Sequence, residues 1–186
     1  MTSPPTGRDR TAAESVRLAW PAEAHAIADL QRRAWTTQPP DVAEALLGSI
    51  DRVEMAESWH AAIVRPPQAR FRVLVAVENR RVVGFATTLP AQDPDLDEAI
   101  DGQLDELEVD PSAHGRGHGS RLLNASIDTL RADGFQRAVC WISAVDDARR
   151  GFLLKAGWAP DGSWREIGTE EASVRLKQVR LHTELN

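Results

Sequence analysis

The segment with the clearest chemical pattern is residues 104–123, LDELEVDPSAHGRGHGSRLL. It reads as a strand, a turn containing Pro111, three glycines at alternate positions (Gly115, Gly117 and Gly119) and the start of an amphipathic helix. Glycines let the backbone turn tightly and bring several N–H groups to one place, and a helix N-terminus adds free donors and partial positive charge. The segment therefore predicts an anion site that suits a diphosphate.

The spacing of these glycines disfavours the common nucleotide-binding loops. A Walker loop needs Gly-Lys-Ser/Thr, whereas Gly119 is followed by Ser120 and Arg121. A dinucleotide fingerprint needs the spacing G-x-G-x-x-G, and here it is G-x-G-x-G. The separate Lys and His-Arg-Asp motifs of a protein kinase are missing as well.

The segment resembles the central signature of the GCN5-related N-acetyltransferase (GNAT) superfamily. That signature is a strand ending in V-x-P, then Arg/Gln-x-x-Gly-x-Gly/Ala opening a helix, and Val109–Pro111 and His114–Gly119 are similar to it. Residues 146–158 resemble the N-x-x-A-x-x-F-Y-x-x-x-G-F helix of the same family, with Phe152 and Gly157 preserved. The resemblance implies an acetyl-CoA-dependent N-acetyltransferase that transfers an acetyl group to a primary amine of a small molecule or peptide.

The resemblance also implies where acetyl-CoA binds, with pantetheine along the strand and pyrophosphate on the loop amides. The cofactor-binding residues that it implies are Leu107, Val109, His114, Gly115, Arg116, Gly117, His118, Gly119, Ser120, Asp146 and Phe152. No metal is expected, because His114 and His118 straddle glycines and no second ligand pair exists.

Three positions depart from the family pattern. His114 replaces the usual Arg/Gln; it can donate a hydrogen bond to a phosphate but is fully charged only at lower pH, so cofactor affinity is expected to vary with pH. Asp146 replaces Asn and, when ionised, only accepts hydrogen bonds. Leu153 stands where a tyrosine often protonates the leaving thiolate, and the chain contains no tyrosine. The alternative function is therefore that of a non-catalytic module that binds acyl-CoA. A third possible function is that of a protein that binds phosphate-containing ligands without preference for CoA.

A carboxylate is expected to take the proton of the attacking amine, because amines are mostly protonated near pH 7. Asp105 and Glu106, just upstream of the loop, are the candidates, and Glu106 is preferred. Strand alternation places them on opposite faces unless a bulge intervenes. With no tyrosine present, Ser143 or a water is the expected proton source for the thiolate.

Residues 91–110 contain nine acidic residues and no lysine or arginine. A field of that sign would attract a cationic acceptor such as a polyamine, an aminoglycoside-like amine or a basic peptide. The alternative is a solvated acidic loop, the usual role of a charge run. Trp35 and Trp164 are candidate walls of an acceptor pocket. Cys140, alone in an apolar strand, is interpreted as core rather than nucleophile.

Hydrophobic periodicity predicts the elements that must position these residues. Helices are predicted over 21–35, 42–50 and 53–64, from the glycine loop to Gly134, and from Asp146 to Gly157. Strands are predicted at Val16–Ala19, Phe71–Val77, Val82–Leu89, Leu104–Val109, Ala138–Ser143, Trp164–Ile167 and Val174–Leu181. With the resemblance, this order predicts an α/β fold: a GNAT-like mixed, mostly antiparallel sheet of about six to seven strands flanked by helices, with a splayed central strand pair.

Composition limits the remaining possibilities. The chain has 186 residues, 42% of them hydrophobic, one cysteine and a net charge of -6, as expected for one core that needs no disulfide. The acidic balance disfavours nucleic acid and membrane partners, and no apolar run approaches the roughly 20 residues of a membrane span. Residues 1–14 lack the apolar stretch of a secretory signal and are expected to be a disordered tail before one domain over 15–186. A cytoplasmic monomer or homodimer is expected.

Overall fold

The computed structural model describes residues 14–168 and 175–185. Seven strands form one sheet: β1 (Glu14–Leu18), β2 (Arg72–Glu78), β3 (Arg81–Pro90), β4 (Asp101–Val109), β5 (Arg137–Ser143), β6 (Ala159–Gly168) and β7 (Arg175–Glu184). Their spatial order is β1-β2-β3-β4-β5-β7-β6, and among the described strands β4 and β5 form the one parallel pair. The predicted mixed, mostly antiparallel sheet is confirmed.

Five α-helices flank the sheet. They are α1 (Ala24–Trp35), α2 (Pro40–Ser49), α3 (Arg52–Val64), α4 (His118–Ala132) and α5 (Asp147–Lys155), with one-turn 3₁₀ helices at Pro21–Glu23 and Pro111–Ala113. The helix predicted over 21–35 is thus a 3₁₀ turn followed by α1. Glu14, predicted to belong to the tail, is already in β1, whereas residues 1–13 and Val174 lie outside the described residues. Among the described helices, none has both the length and the apolar character that crossing a membrane requires.

The two faces of the sheet carry separate clusters of buried side chains. Beneath α4 and α5 the cluster includes Leu74, Ala86, Leu104, Leu122, Leu130, Cys140, Ile142 and Leu153. On the other face Ile27, Leu30, Val73, Val75 and Phe85 pack together, and Trp59 of α3 meets Phe85 edge-on with ring centroids 5.2 Å apart. Most of β3 and the first four residues of β4 are therefore buried between the two clusters.

The central parallel pair opens towards its C-terminal ends. Residues 101–103 of β4 pair with 137–139 of β5, and no further β4–β5 pairing occurs in the described part of the chain. Both strands nevertheless continue, β4 to Val109 and β5 to Ser143. The resulting gap is the predicted splay, and it lies beside the first turn of α4.

A β-bulge interrupts the pairing of β4 with β3. Thr87 of β3 stands opposite both Asp105 and Glu106, and the Glu106 N–H donates to Thr87 Oγ1 at 3.0 Å. Because of the extra residue, Leu104 and Leu107 both face the core beneath α4. Asp105 and Glu106 consequently share the opposite face, rather than alternating as in a regular strand.

Candidate active site

A cavity of about 790 Å³ occupies the gap between β4 and β5. Its walls are β4 over residues 107–109, the glycine loop with the first turn of α4, and the start of α5. Ten of the eleven cofactor-binding residues implied by the sequence line it, together with Ser143: Leu107, Val109, His114, Gly115, Gly117, His118, Gly119, Ser120, Asp146 and Phe152. Sequence reasoning missed one wall, the α1–α2 turn, which contributes Ala34, Thr37, Gln38 and Pro39.

The glycine loop delivers the open end of α4 to this cavity. Gly115 and Gly117 have φ values of 75° and 81°, a left-handed conformation that residues with a Cβ rarely adopt. Gly117 is the N-cap residue of α4, and the first intrahelical bond runs from the Arg121 N–H to the Gly117 carbonyl. The N–H groups of residues 118–120 therefore precede the ladder of the helix and remain available to an anion.

Asp110 anchors the entry to the loop. Its carboxylate accepts hydrogen bonds from the N–H and hydroxyl of Ser112 and from Arg33 of α1, the last at 2.8 Å. Although burial acts to raise the pKa of Asp110, these hydrogen bonds hold it below the usual value. The loop is thus fixed to α1 before any ligand arrives.

The side chains of three loop residues are engaged within the protein. Arg116 does not line the cavity; its guanidinium pairs with Glu78 at 2.8 Å. The His118 ring is buried between Glu78 and Arg121, so this residue presents its backbone rather than its imidazole to the cavity. The His114 ring, expected to donate to a phosphate, has its Nε2 3.0 Å from the Val109 carbonyl oxygen. What the loop offers to an anion is therefore its backbone N–H groups, because the His114 and His118 rings are bonded to other protein groups.

The residues of the second motif lie at the start and on the buried face of α5. Asp146 caps α5 by accepting the Arg149 N–H at 2.9 Å, which engages its carboxylate within the protein. Leu153, in the place of the family's tyrosine, is 1% exposed and belongs to the core. Cys140 is buried, and burial raises the pKa of its thiol to about 12. Cys140 is therefore a core residue, as predicted from the sequence. Ser143 is the predicted hydroxyl that does line the cavity.

Glu106 is held in an unusual environment for a carboxylate. Trp59 Nε1 donates to Gln31 Oε1 at 2.8 Å, which turns the amide so that Gln31 Nε2 reaches Glu106 Oε1 at 3.3 Å. Burial, followed by the charges of Asp105 and Glu108, raises the pKa of Glu106 to about 8. Asp105 is exposed and accepts a hydrogen bond from Gln103 at 2.8 Å. The two candidate carboxylates share a face, but Asp105 is exposed and Glu106 is partly buried.

An ion pair that sequence reasoning missed crosses the open gap. Arg149 of α5 donates to Glu108 Oε1 of β4 at 2.6 Å, and both residues line the cavity. Although burial acts to lower the pKa of Arg149, the charge and hydrogen bond of Glu108 raise it. The signal was present in the second motif, where Arg149 replaces the alanine of the family pattern.

Five of the nine acids in residues 91–110 pair with arginines of the described chain. Arg180 of β7 binds Asp93, Asp95 and Asp161 at 3.3, 2.5 and 2.6 Å. Of the other acids in residues 91–110, three pair with arginines: Asp101 with Arg137, Glu108 with Arg149, and Asp110 with Arg33. Part of the negative charge of the segment is therefore offset within the protein, while Asp97, Glu98 and Asp105 remain exposed.

The two candidate tryptophan walls lie away from the cavity. Trp35 packs against the cluster that α1 forms with Met55 and Ala56 of α3. Trp164 is 61% exposed on the edge strand β6, with Lys177 Nζ 4.8 Å from its ring centroid. Neither side chain lines the gap between β4 and β5.

Fold and site together define an α/β protein in which two splayed central strands lie beside a helix that begins at a glycine-rich loop. Residues 24–158 match the acetyltransferase (GNAT) family, and the chain belongs to that family. The resemblance seen in the sequence is thereby confirmed.

Comparison with individual proteins agrees with this assignment. Phosphinothricin N-acetyltransferase of Streptomyces coelicolor is 30% identical over 100 residues, which cover 53% of this chain and 57% of that protein. The matches span about half the length of the curated relatives. The structure of yncA from Salmonella typhimurium, solved with its cofactor acetyl-CoA, has a TM-score of 0.70 at 21% identity, covering 94% of this chain and 95% of that one. Ribosomal-protein-alanine N-acetyltransferase from Brucella melitensis has a TM-score of 0.72 at 22% identity, covering 91% and 99%.

Proposed function

We propose that the protein is an acetyl-CoA-dependent N-acetyltransferase acting on a primary amine of a small molecule or peptide. The observation that carries the proposal is the position of Glu106, a partly buried carboxylate whose pKa is raised to about 8. Glu106 does not itself line the cavity, but it lies on the face of β4 that also presents Glu108 to it. A general base is most effective when its pKa lies near the working pH. A module that only binds acyl-CoA has no need of such a group.

In this mechanism the loop and β4 position the donor. The N–H groups at the start of α4 bind the pyrophosphate of acetyl-CoA, and the backbone of Leu107 and Val109 aligns the pantetheine arm along the gap. The amine enters from the face that carries Glu106. Glu106, directly or through one water, removes the proton as the nitrogen attacks the thioester carbon. Holding both reactants in the gap makes the attack effectively unimolecular.

The structure favours Glu106 over Asp105 as the base. Asp105 is exposed to solvent, whereas Glu106 is partly buried and bonded to Gln31. Its contribution is electrostatic, since its charge is one cause of the raised pKa of Glu106. Ser143 remains a candidate proton source for the thiolate because its hydroxyl lines the cavity.

The acceptor is expected to be a small amine without a requirement for extra positive charge. The arginines that pair with Asp93, Asp95 and Asp101 offset part of the negative charge that would favour a polyamine. The relative named for phosphinothricin supports a small-molecule acceptor.

Substitution of Asp105 by Asn is expected to shift the pH profile rather than abolish turnover. Removing the neighbouring charge lowers the pKa of Glu106, so the rising limb of kcat/KM against pH moves to lower pH. Because Asp105 is exposed, we expect a shift below about one unit that shrinks with added salt. An unchanged profile at low ionic strength would show that the two carboxylates are not coupled.

Binding of acetyl-CoA tests the cofactor half of the proposal. Calorimetry is expected to show binding of acetyl-CoA and CoA that is much tighter than binding of ADP. A Gly117→Ala variant forces a Cβ into a left-handed conformation that costs about 1–2 kcal/mol. The loop is expected to relax to relieve this strain, which moves its N–H groups and lowers the affinity for acetyl-CoA about tenfold.

Gly48→Ala is the matched control for that variant. A Cβ at Gly48 meets nothing within 4 Å, and Gly48 lies in α2 outside the glycine loop. Equal affinity for ADP and acetyl-CoA would contradict the acetyltransferase and favour a protein that recognises only phosphate. Equal losses in Gly117→Ala and Gly48→Ala would remove the loop from the binding site.

A further inference from the structure

The missing tyrosine leaves the departing thiolate without its usual partner. Acyl transfer forms an N–C bond and breaks the C–S bond, and the electron pair of that bond stays on sulfur. The proton of the amine goes to Glu106 in the proposed function, so it does not neutralise the sulfur. Leu153 is buried in the core, and the Cys140 thiol is buried with a pKa of about 12. Another group must stabilise the anionic sulfur until a proton from Ser143 or a water reaches it.

Arg149 is placed to do this. It precedes Leu153 by four residues, which puts both on one face of α5, one turn apart. Among the described residues that line the cavity, Arg149 is the one arginine or lysine. Its side chain is 28% exposed, and its Nη2 spans the gap to Glu108 on β4.

We propose that Arg149 is a catalytic residue that stabilises the thiolate of coenzyme A as it leaves, in place of the family's tyrosine. This inference rests on the proposed function. Arginine does not give up its proton, so the guanidinium acts through charge and hydrogen bonds, and the sulfur leaves as the thiolate. An alkyl thiol has a pKa near 8.5, which makes an unprotonated thiolate an acceptable leaving group once it faces a cation.

Glu108 competes with the thiolate for Arg149. The charged or titratable groups that face the guanidinium are Glu106 and Glu108 of β4, Asp146 before α5, and Cys140 of β5. Glu108 makes the 2.6 Å contact, whereas the Asp146 Oδ2 is 3.6 Å from Arg149 Nε. If the ion pair served only to hold β4 and α5 together, loss of either partner would have the same effect on the pKa of the bound thiol. Under the proposal, loss of Arg149 raises the pKa of the bound thiol, whereas loss of Glu108 frees Arg149 and lowers that pKa.

The ionisation of bound coenzyme A tests the proposal directly. Ultraviolet absorbance of the thiolate is followed against pH for coenzyme A bound to the wild type and to variants. The Cys140 thiol does not interfere, because its pKa is about 12. We expect the pKa of the bound thiol in the wild type to lie about one unit below that of free coenzyme A, a tenfold change in ionisation.

The variants separate charge from structure. Arg149→Met combined with Glu108→Gln removes both charges without stranding a carboxylate, and is expected to return the pKa of the thiol to the free value or above. Glu108→Gln alone keeps the cation and is expected to lower that pKa at least as far as in the wild type. Arg149→Lys is expected to be intermediate, because it keeps a charge in a different geometry. Arg150→Met, which removes a neighbouring arginine that binds the Ala144 carbonyl outside the cavity, is the matched control.

Turnover provides the second readout. The double variant is expected to lose roughly 10- to 100-fold in kcat, with a much smaller change in KM for acetyl-CoA, as for other losses of transition-state charge stabilisation. If coenzyme A binds but its thiol titrates alike in the wild type and the double variant, the role of Arg149 is overturned while the proposed function stands. A like change in Glu108→Gln and the double variant would also overturn it. Failure to bind coenzyme A would instead reject the proposed function.

Discussion

Glu106→Gln is expected to lower kcat by roughly 10²- to 10⁴-fold, the range for loss of a general base. The amide keeps the size of the side chain and its contact with Gln31 but cannot accept the amine proton. In the wild type, kcat/KM is expected to rise with pH through about 8 as Glu106 ionises, and the variant is expected to lose that limb. Steady-state thiol release over a pH series measures both effects.

The same variant is expected to be more stable than the wild type, which separates loss of chemistry from loss of structure. The pKa of Glu106 is higher in the folded chain than its ordinary value of 4.5, so the folded state binds more protons between pH 4.5 and about 8. The free energy of unfolding therefore falls as pH rises through that interval. Glu106→Gln removes the penalty, and its Tm above pH 8 is expected to exceed that of the wild type.

Glu98→Gln is the comparison for both measurements, because Glu98 is an exposed acid of the β3–β4 connection. It is expected to match the wild type in kcat and Tm. A Glu106→Gln enzyme that keeps full turnover, or that unfolds at a lower temperature, would contradict the assigned role.

Arg180→Met is expected to destabilise the protein by about 3–5 kcal/mol, the usual cost of removing one partner of a buried ionic group. The guanidinium is 4% exposed and binds the carboxylates of Asp93, Asp95 and Asp161. Its loss leaves these three carboxylates close together, with Arg165 still 3.8 Å from Asp93. Denaturant unfolding at neutral pH measures the change.

At acid pH, the difference in the free energy of unfolding between the wild type and Arg180→Met is expected to become smaller. Hydrogen bonds from Ser163 and Arg180, opposed by burial, hold the pKa of Asp161 below its usual value of 3.8. The stability that Asp161 contributes is present above that value and lost as pH falls through the lowered pKa. Arg175→Met is the matched control, since it removes an exposed arginine of the same strand whose pair with Glu166 spans 3.4 Å. A difference between Arg180→Met and Arg175→Met below about 1 kcal/mol would show that the network is solvated and weak.

The glycine loop and the order of the elements were predictable because their signals are local. Alternate glycines after a strand and before an amphipathic helix determine the backbone at Gly115 and Gly117 within a few residues. The splay follows from the family resemblance, and the structure confirms it.

The bulge and the ion-pair networks were not predictable from local pattern. The sequence places Asp105 and Glu106 side by side, and the pairing of Thr87 from another strand decides that they share a face. Arg180 lies 85 residues from Asp95 along the chain, so a run of acids gives no sign of its counterion. Long-range contacts therefore decided both the candidate base and the charge around it.

Release of coenzyme A thiol that depends on an added amine is the most direct test of the account. Purified protein, acetyl-CoA and a panel of primary amines are mixed at several pH values, with Glu106→Gln in parallel. We predict that thiol release requires an amine, that its rate rises with pH through about 8, and that it is lost in Glu106→Gln. Binding of acetyl-CoA without release for any amine, or release that is unaffected by Glu106→Gln, would contradict it.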